Sequence, residues 1–183
     1  MLFRSAAQKN FGIAGLSVVI LRRDLLGLAT AEVPTLLNYG VYSRTDSVPN
    51  TPPVFQLYVA NLMAEWIENE GGLEKLNARA LVRSSQLYSV ISELSDTYVS
   101  HVAEGSRSRV NVVFRLRDEA LTSVFVKEAA AEGFINLAGH RSVGGIRASM
   151  YNAMPIEGAV KLADFMRNFA VRHPAKTKIV VPA

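Results

Sequence analysis

The chain has 183 residues, of which 49% are hydrophobic, and this is enough to bury the core of one domain or of two small ones. Its net charge of +4 comes from 20 basic and 16 acidic residues spread along the chain, without the clustered basic and aromatic residues typical of nucleic-acid binders. There is no cysteine, and the longest apolar run, Leu16–Leu21, is far shorter than the ~20 residues of a membrane span. We therefore expect a cytoplasmic protein with small-molecule partners, no nucleic acid, no membrane and no metal site.

A lysine flanked by small and amide side chains precedes the first predicted strand. The segment Gln8-Lys9-Asn10 is followed by two glycines and then by the apolar run Leu16–Leu21. Lysine can trap a carbonyl when its surroundings lower its pKa, although most lysines are simply solvated. The apolar run predicts a strand buried on both faces of a mostly parallel sheet. A short helical turn is expected within residues 22–27.

A loop and a helix follow in the first third of the chain. Residues 34–53 are rich in Asn, Ser, Thr and Pro and predict an ordered functional loop. Helical apolar spacing then predicts a helix over Val54–Glu70, with Thr51 as its N-cap and Pro52 in its first position. A helix N-terminus attracts anions, but prolines lack the N–H group. Asn50 and Thr51 are therefore the expected donors.

The remaining elements predict a small α/β domain. A helix is expected over 73–94, and its predicted core face is Leu73, Leu76, Ala80, Leu87 and Ile91. Predicted strands and helices then alternate: strand 110–114, helix 119–132 capped by Asp118, strands 134–138 and 146–152, and a last helix opened by Pro155. The predicted apolar face of that last helix is Ala159, Leu162, Ala163, Met166 and Phe169. The tail from residue 174 has no predicted partner.

The glycine pair at 71–72 interrupts the helical pattern and predicts the domain boundary. Residues 1–72 would then form one part and residues 73–183 the other. Arg107 and Arg109 are expected to alternate along a strand, so they are predicted to share a face and to be structural, with lining of the site as the alternative.

The densest set of anion-binding side chains lies in the segment Gly139–Ser149. It places His140, Arg141 and Arg147 around the pair Gly144-Gly145. Guanidinium forks suit planar oxyanions, and paired glycines let the backbone approach a ligand closely. Taken alone, the segment indicates a site for carboxylates or a phosphate, or else a turn with solvated arginines.

Four motifs in this order resemble the phosphoserine aminotransferase family. They are Gln8-Lys9-Asn10 with the glycines that lead to Leu16, Asn50-Thr51-Pro52-Pro53, the Arg-Ser-Arg-Val-Asn-Val run at 107–112, and the run Gly139–Pro155. The resemblance extends from residue 6 to residue 173. Val110 departs from the methionine that the family has at that position.

The resemblance implies an α/β fold, the C-terminal part of the pyridoxal-phosphate-dependent transferase fold type I. Residues 1–72 would be the end of the large, mostly parallel-sheet cofactor domain, and residues 73–183 the small C-terminal domain. In the family the lysine lies near the middle of the protein. The ring stacked on the cofactor, the aspartate at its pyridine nitrogen and most phosphate ligands would therefore precede this chain. We accordingly expect the 183 residues alone to be inactive.

The resemblance also implies roles for the marked residues. Lys9 would bind pyridoxal 5'-phosphate as an imine, with Gln8 beside it. Asn50 and Thr51 would meet the cofactor phosphate of the other subunit in a homodimer. The substrate groups are implied to be His140 and Arg141 for the distal phosphate or carboxylate, and Arg147 for the α-carboxylate. His101 and His173 are expected to be ordinary surface residues.

The implied activity is amino transfer between glutamate and 3-phosphohydroxypyruvate, giving phosphoserine and 2-oxoglutarate in serine biosynthesis, and in bacterial relatives also a step of pyridoxine biosynthesis. Two alternatives stay open at this point. One is a non-catalytic dimerisation or regulatory module derived from such an enzyme. The other is a different fold type I enzyme, such as a desulfurase, whose cysteine is absent here.

Overall fold

The chain separates into two units at a pair of glycines. The computed structural model describes residues 2–175, and the units are Met1–Gly72 and Leu73–Ala183. Gly71 and Gly72 have φ of 92° and 75°, a conformation that L side chains rarely adopt. In the described part, no helix is both long and apolar enough to cross a bilayer. From residue 176 on, the predicted tail lies outside the described residues.

The first unit begins with a two-stranded hairpin. Strand β1 (Leu2–Ala6) pairs antiparallel with β2 (Ser17–Leu21), with Arg4 opposite Val19. The strand predicted from the apolar run is therefore present, but its predicted setting is wrong for the described chain, because its partner is antiparallel and Ile20 is 62% exposed. An apolar run indicates that a strand can be buried; it does not say which strands lie beside it.

The segment predicted as a loop over 34–53 contains helical structure. A 3-10 turn at Arg23–Leu25 confirms the predicted turn, and a second lies at Thr35–Leu37. Helix α1 (Tyr39–Arg44) follows, and the side chain of Asn38 caps it by accepting from the Gly40 N–H at 2.9 Å. A helix of six residues is too short to show hydrophobic periodicity, so the loop prediction missed it.

Helix α2 (Val54–Asn69) begins at the predicted residue, but its cap is not the predicted one. Its N-cap is Pro53, whose carbonyl accepts from the Leu57 N–H at 3.0 Å, so the predicted cap at Thr51 and first position at Pro52 are wrong. The reason is steric, since a residue before proline is disfavoured in the helical region, and Pro52 precedes Pro53. The helix buries only Ala60 and leaves a row of large apolar side chains exposed: Val54, Phe55, Leu57, Tyr58 and Leu62.

The second unit packs three helices with a three-stranded antiparallel sheet. Its strands β3 (Tyr98–Val99), β4 (Asn111–Leu116) and β5 (Ile146–Ser149) lie in the order β3-β4-β5. Its helices are α3 (Gly72–Glu93), α4 (Thr122–Ala131) and α5 (Ile156–Arg172). Alternate residues of β4 and β5 enter the core, among them Val112, Phe114, Leu116, Ile146 and Ala148. The predicted α/β character is thereby confirmed.

The core of this unit is built around aromatic side chains. Phe125 of α4 lies 4.9 Å from Phe169 and 5.1 Å from Phe165 between ring centroids, in edge-on arrangements that aromatic pairs prefer. Buried Tyr98 donates its hydroxyl to the Met166 carbonyl at 2.8 Å. Every residue of the apolar face predicted for the last helix is buried, which confirms that prediction.

Three expectations for this unit are wrong. Leu73 is 75% exposed, because it lies one turn before Leu76, the first residue of α3 that the core covers. The strand predicted at 134–138 is reduced to a single bridge between Ala138 and Ile146. Arg107 and Arg109 precede β4 and do not alternate along it. Asp118 does act as a cap, accepting from the Ala120 N–H at 3.2 Å, although a 3-10 turn precedes α4.

Candidate active site

Lys9 lies in the loop that joins β1 to β2. The Ala7 N–H donates to the Leu16 carbonyl at 2.9 Å, which extends the hairpin ladder, and the Lys9 N–H turns back to the Ala7 carbonyl at 2.6 Å. Ala7 is buried, whereas Gln8 and Lys9 are exposed. No carboxylate pairs with Lys9 among residues 2–175. The primary amine is therefore held on an ordered backbone and is accessible.

Two glycines place this loop against α2. Gly15 has φ of 105°, and a Cβ there would lie 3.0 Å from the Gln56 side-chain amide. A Cβ at Gly12 would lie 3.8 Å from the Ala60 Cα. The lysine loop therefore packs on the first two turns of α2, which is the helix that the Asn50-Thr51 segment enters.

Asn50 and Thr51 are both exposed in the non-helical segment before α2. Because no side chain caps this helix, the Thr51 hydroxyl is not used for capping. A hydroxyl and an amide can donate to phosphate oxygens without adding charge. The structure thus leaves both side chains available for the role predicted from the sequence, which stays a prediction.

In the second unit, a glycine-rich loop holds His140 and Arg141. The Gly139 N–H donates to the Gly145 carbonyl at 2.9 Å and closes the neck of the loop. Inside it, the His140 carbonyl accepts from the Val143 and Gly144 N–H groups at 2.9 and 2.8 Å. A Cβ at Gly139 would lie 2.7 Å from the Gly144 carbonyl carbon, so the neck has no room for a side chain. We call residues 139–145 the anion loop.

Local hydrogen bonds orient His140. Its Nδ1 accepts from the Ser142 backbone N–H at 3.3 Å and lies 2.8 Å from the Ser142 hydroxyl. Because an amide N–H can only donate, Nδ1 is the acceptor and the proton of the neutral ring lies on Nε2. The exposed imidazole therefore offers an N–H donor beside the exposed guanidinium of Arg141.

Arg147 extends from β5 directly after this loop. It lies opposite Val113, and its N–H donates to the Leu137 carbonyl at 2.8 Å. The side chain is half-buried, and its Nε is out of contact with solvent and has no acceptor within the described residues. The terminal nitrogens of the guanidinium are the atoms that could meet a planar anion as a bidentate fork. Arg147 thus suits a carboxylate.

Sequence reasoning missed two arginines that support this region. Arg115 of β4 donates from Nη2 to the Val143 carbonyl of the anion loop at 2.8 Å. Arg83 of α3 is 1% exposed and donates from Nη1 to the Met154 carbonyl at 2.9 Å, beyond the end of β5. Strand alternation could have placed Arg115 on the face of Arg147, but only once the register was known.

The other residues considered from the sequence have structural contacts. The Arg107 guanidinium stacks 4.8 Å from the centre of the Tyr88 ring, in line with the structural role predicted for it. His101 is exposed, as expected. His173 differs from the expectation of an ordinary surface residue. Its Nε2 lies 2.9 Å from the Glu128 carboxylate, which Arg172 also contacts at 2.9 Å.

The predicted site residues fall into two groups. The cofactor residues Gln8, Lys9, Asn50 and Thr51 lie in the first unit, on segments that meet at α2. The substrate residues His140, Arg141 and Arg147 lie in the second unit, on one loop and the strand that continues from it. The first group offers an amine and neutral donors, and the second offers cations for two anionic groups.

Comparison with known proteins points to one family. A sequence model described as aminotransferase class-V matches residues 2–162. The phosphoserine aminotransferase of Chromobacterium violaceum is 47% identical over 166 residues, which is 91% of this chain and 46% of that protein. The chain thus spans about half the length of the curated relatives it matches.

Solved structures agree with the sequence comparison. Phosphoserine aminotransferase from Bacillus circulans subsp. alkalophilus has a TM-score of 0.87 at 42% identity, over 94% of this chain and 48% of that one. A structure described as PLP-bound phosphoserine aminotransferase from Trichomonas vaginalis has a TM-score of 0.83 at 35% identity, over 91% of this chain and 47% of that one.

Proposed function

The chain belongs to the class-V aminotransferase family, and on that premise we propose that it is the C-terminal half of a phosphoserine aminotransferase. The proposed reaction moves an amino group from glutamate to 3-phosphohydroxypyruvate and releases phosphoserine and 2-oxoglutarate. It would serve serine biosynthesis, and a step of pyridoxine biosynthesis is a second proposed role. Relatives of this name at 47% and 48% identity support the proposal.

The observation that carries the proposal is the arrangement of cations in the second unit. Every substrate of this reaction has an α-carboxylate and a second anion, either a phosphate or a γ-carboxylate. Arg147 extends a half-buried guanidinium from β5, and the anion loop holds His140 and Arg141 immediately before this strand. Arg147 on the strand would bind the α-carboxylate that all the substrates share. The two donors of the anion loop would bind the second anion, which differs between substrates.

The residues of the first unit fit pyridoxal 5'-phosphate as the cofactor. Lys9 has an accessible primary amine on an ordered loop, which is the group needed to hold an aldehyde covalently. Gln8 adjoins it, and Asn50 and Thr51 offer neutral donors suited to phosphate oxygens. These four residues would therefore hold the cofactor, together with groups outside this chain.

When bound, the cofactor supplies the electron sink that stabilises negative charge formed at the substrate's Cα. The chain's own residues would orient and deprotonate the substrate. Arg147 fixes the α-carboxylate through two parallel N–H donors, so that the Cα–H bond keeps one direction. The Lys9 amine, when it is not itself bonded to the cofactor, is the base that would accept the proton from Cα. His140 and Arg141 hold the distal anion and so set the reach of the substrate.

The proposal extends to assembly and location. We propose a homodimer in which Asn50 and Thr51 serve the phosphate bound by the other subunit. The row of exposed apolar side chains on α2 supports burial against further protein. Small molecules are the proposed ligands, and the cytoplasm is the proposed compartment.

The test separates the two arginine roles in the full-length enzyme. Arg147→Lys keeps the charge but loses the bidentate fork, so kcat/KM should fall for glutamate and phosphoserine alike. The expected loss is about 30-fold or more, the lower end of the 2–5 kcal/mol for a broken charge pair. Arg141→Ala should affect the two substrates unequally, since it acts on the anion that differs between them.

Steady-state kinetics with each amino donor provides the measurement. Arg109→Lys is a matched control, because this arginine also lies in the second unit and hydrogen bonds to the Asn77 side chain. A uniform loss at Arg141 together with a substrate-dependent loss at Arg147 would reverse the assigned roles. Wild-type enzyme that does not transaminate phosphoserine would refute the proposed function itself.

A further inference from the structure

Arg115 connects the two substrate-binding elements. Strands β4 and β5 are antiparallel with Val113 opposite Arg147 and Phe114 opposite Ile146. Because side chains alternate along a strand, Arg115 lies on the same face of the sheet as Val113 and Arg147. From that face it also reaches the anion loop, where its Nη2 donates to the Val143 carbonyl at 2.8 Å.

The loop also rests on the stem of this arginine. Gly145 has φ of 70°, and a Cβ there would lie 2.9 Å from the Arg115 Cγ and 2.8 Å from the Phe114 carbonyl oxygen. The Arg115 Nε is out of contact with solvent. The aliphatic stem therefore packs against Gly145 at the end of the anion loop, and the guanidinium binds the Val143 carbonyl. These two contacts together fix the position of the loop relative to β4.

The remaining contact of Arg115 is weak. Its Nη1 lies 3.7 Å from a Glu119 carboxylate that is 76% exposed. Exposed ion pairs are screened by water and contribute little, so this pair adds little to the position of Arg115. The important contact of Arg115 is therefore its hydrogen bond to the Val143 carbonyl. This bond connects β4 to the loop that carries His140 and Arg141.

On the basis of the proposed function, we propose that Arg115 is a positioning residue that sets the distance between the distal-anion donors of the anion loop and Arg147. By fixing this distance, Arg115 favours substrates whose two anionic groups are as far apart as those of glutamate or phosphoserine. It touches neither anion. Its effect is exerted through the Val143 carbonyl and through the packing of Gly145.

The test in the full-length enzyme compares substrates of different length. Arg115→Met removes the bond and keeps an aliphatic stem, so KM for glutamate and phosphoserine should rise about tenfold, as for a lost charged hydrogen bond. The preference for glutamate over aspartate, whose carboxylates are one methylene closer, should narrow by a similar factor. The kcat and the KM for alanine, which lacks a distal anion, should stay within about twofold.

Two further variants separate geometry from charge. Arg115→Lys keeps the charge and one donor but lacks the fork, and it should restore part of the glutamate preference. Arg117→Met is the matched control, because Arg117 also donates to a backbone carbonyl, that of Ser95, at 2.6 Å, away from the anion loop. It should leave every KM unchanged.

A second readout does not depend on activity. Hydrogen exchange of the Val143 and Gly144 amides should be faster in Arg115→Met than in wild type and in Arg117→Met. Equal exchange in all three chains would overturn the proposal. So would an equal loss of kcat for alanine and glutamate, since this would place Arg115 at the reacting atoms. If the wild-type enzyme lacked transaminase activity, the proposed function would fail. The exchange rates alone would then show whether Arg115 holds the anion loop in place.

Discussion

Replacing Gly139 by alanine should open the neck of the anion loop. The added Cβ would lie 2.7 Å from the Gly144 carbonyl carbon and 2.8 Å from the Gly145 carbonyl oxygen. Both neighbours are backbone atoms, so neither can rotate away as a flexible side chain could. The neck must widen, and the 2.9 Å hydrogen bond from the Gly139 N–H to the Gly145 carbonyl is then lost.

The magnitude follows from these two contacts. Overpacking costs about 1–3 kcal/mol, and the lost backbone hydrogen bond costs about 0.5–1.5 kcal/mol, so the closed loop should lose about 2–4 kcal/mol. Gly144 differs, because a Cβ there meets nothing within 4 Å and only its φ of 71° is unfavourable. Gly144→Ala should therefore cost about 1–2 kcal/mol.

Hydrogen exchange of the loop amides measures this opening directly. Each 1.4 kcal/mol corresponds to about tenfold faster exchange, so Gly139→Ala should accelerate exchange between ~30-fold and several hundredfold. Gly105→Ala is the control, since its Cβ meets nothing within 4 Å and its φ is not positive. The predicted order of acceleration is Gly139, then Gly144, then Gly105. A Gly139→Ala chain that exchanges like Gly105→Ala would refute the steric argument.

Three further predictions concern stability and association. Arg83→Met should lower the free energy of unfolding of the second unit by about 1–3 kcal/mol in urea titrations, because the Met154 carbonyl loses its donor. Arg83→Lys keeps a donor and should recover most of this stability, and a lysine variant as unstable as the methionine variant would contradict the explanation. Hydrogen bonds from Arg172 and His173 lower the pKa of Glu128. The contribution of Glu128 to stability is therefore complete above the unfolded value of about 4.3 and is lost as pH falls through the folded value. Glu128→Gln should flatten the change in urea midpoint between about pH 5 and about pH 3, and an unaltered slope would exclude this cause. The isolated chain should self-associate through the exposed side chains of α2. Phe55→Glu, at a residue 65% exposed, should therefore reduce its light scattering more than Val171→Glu, at a residue 80% exposed outside α2. Equal effects of the two changes would show that α2 is not the surface through which the chain associates.

The family and the marked residues could be recognised from the chain alone. A lysine loop, a proline pair and a glycine-rich anion segment are local motifs, because each holds its functional groups within a few consecutive residues. The apolar face of α5 was also predictable, since helical spacing puts Ala159, Leu162 and Phe169 on one side whatever lies opposite. The comparisons confirm the family, whereas the roles of the site residues stay predictions.

Local sterics alone are sufficient to correct the predicted cap of α2. The restriction that Pro53 places on Pro52 keeps Pro52 out of the helix, so Pro53 and not Thr51 is the N-cap. The neutral tautomer of His140 likewise depends on neighbouring residues only, yet it required the observed turn that brings the Ser142 N–H to Nδ1. A pattern of residue types does not state which backbone donor faces a ring nitrogen.

Only the tertiary structure decided which segments lie side by side. Leu16–Leu21 predicts a strand, but its antiparallel partner β1 and the exposure of Ile20 depend on what else the chain contains. Arg115 had no recognisable motif, because its importance comes from the register of β4 with β5 and from a loop 28 residues away along the chain. Local propensity acts over a few residues, whereas register and burial are settled by the free energy of distant segments packing together, and no short pattern encodes that.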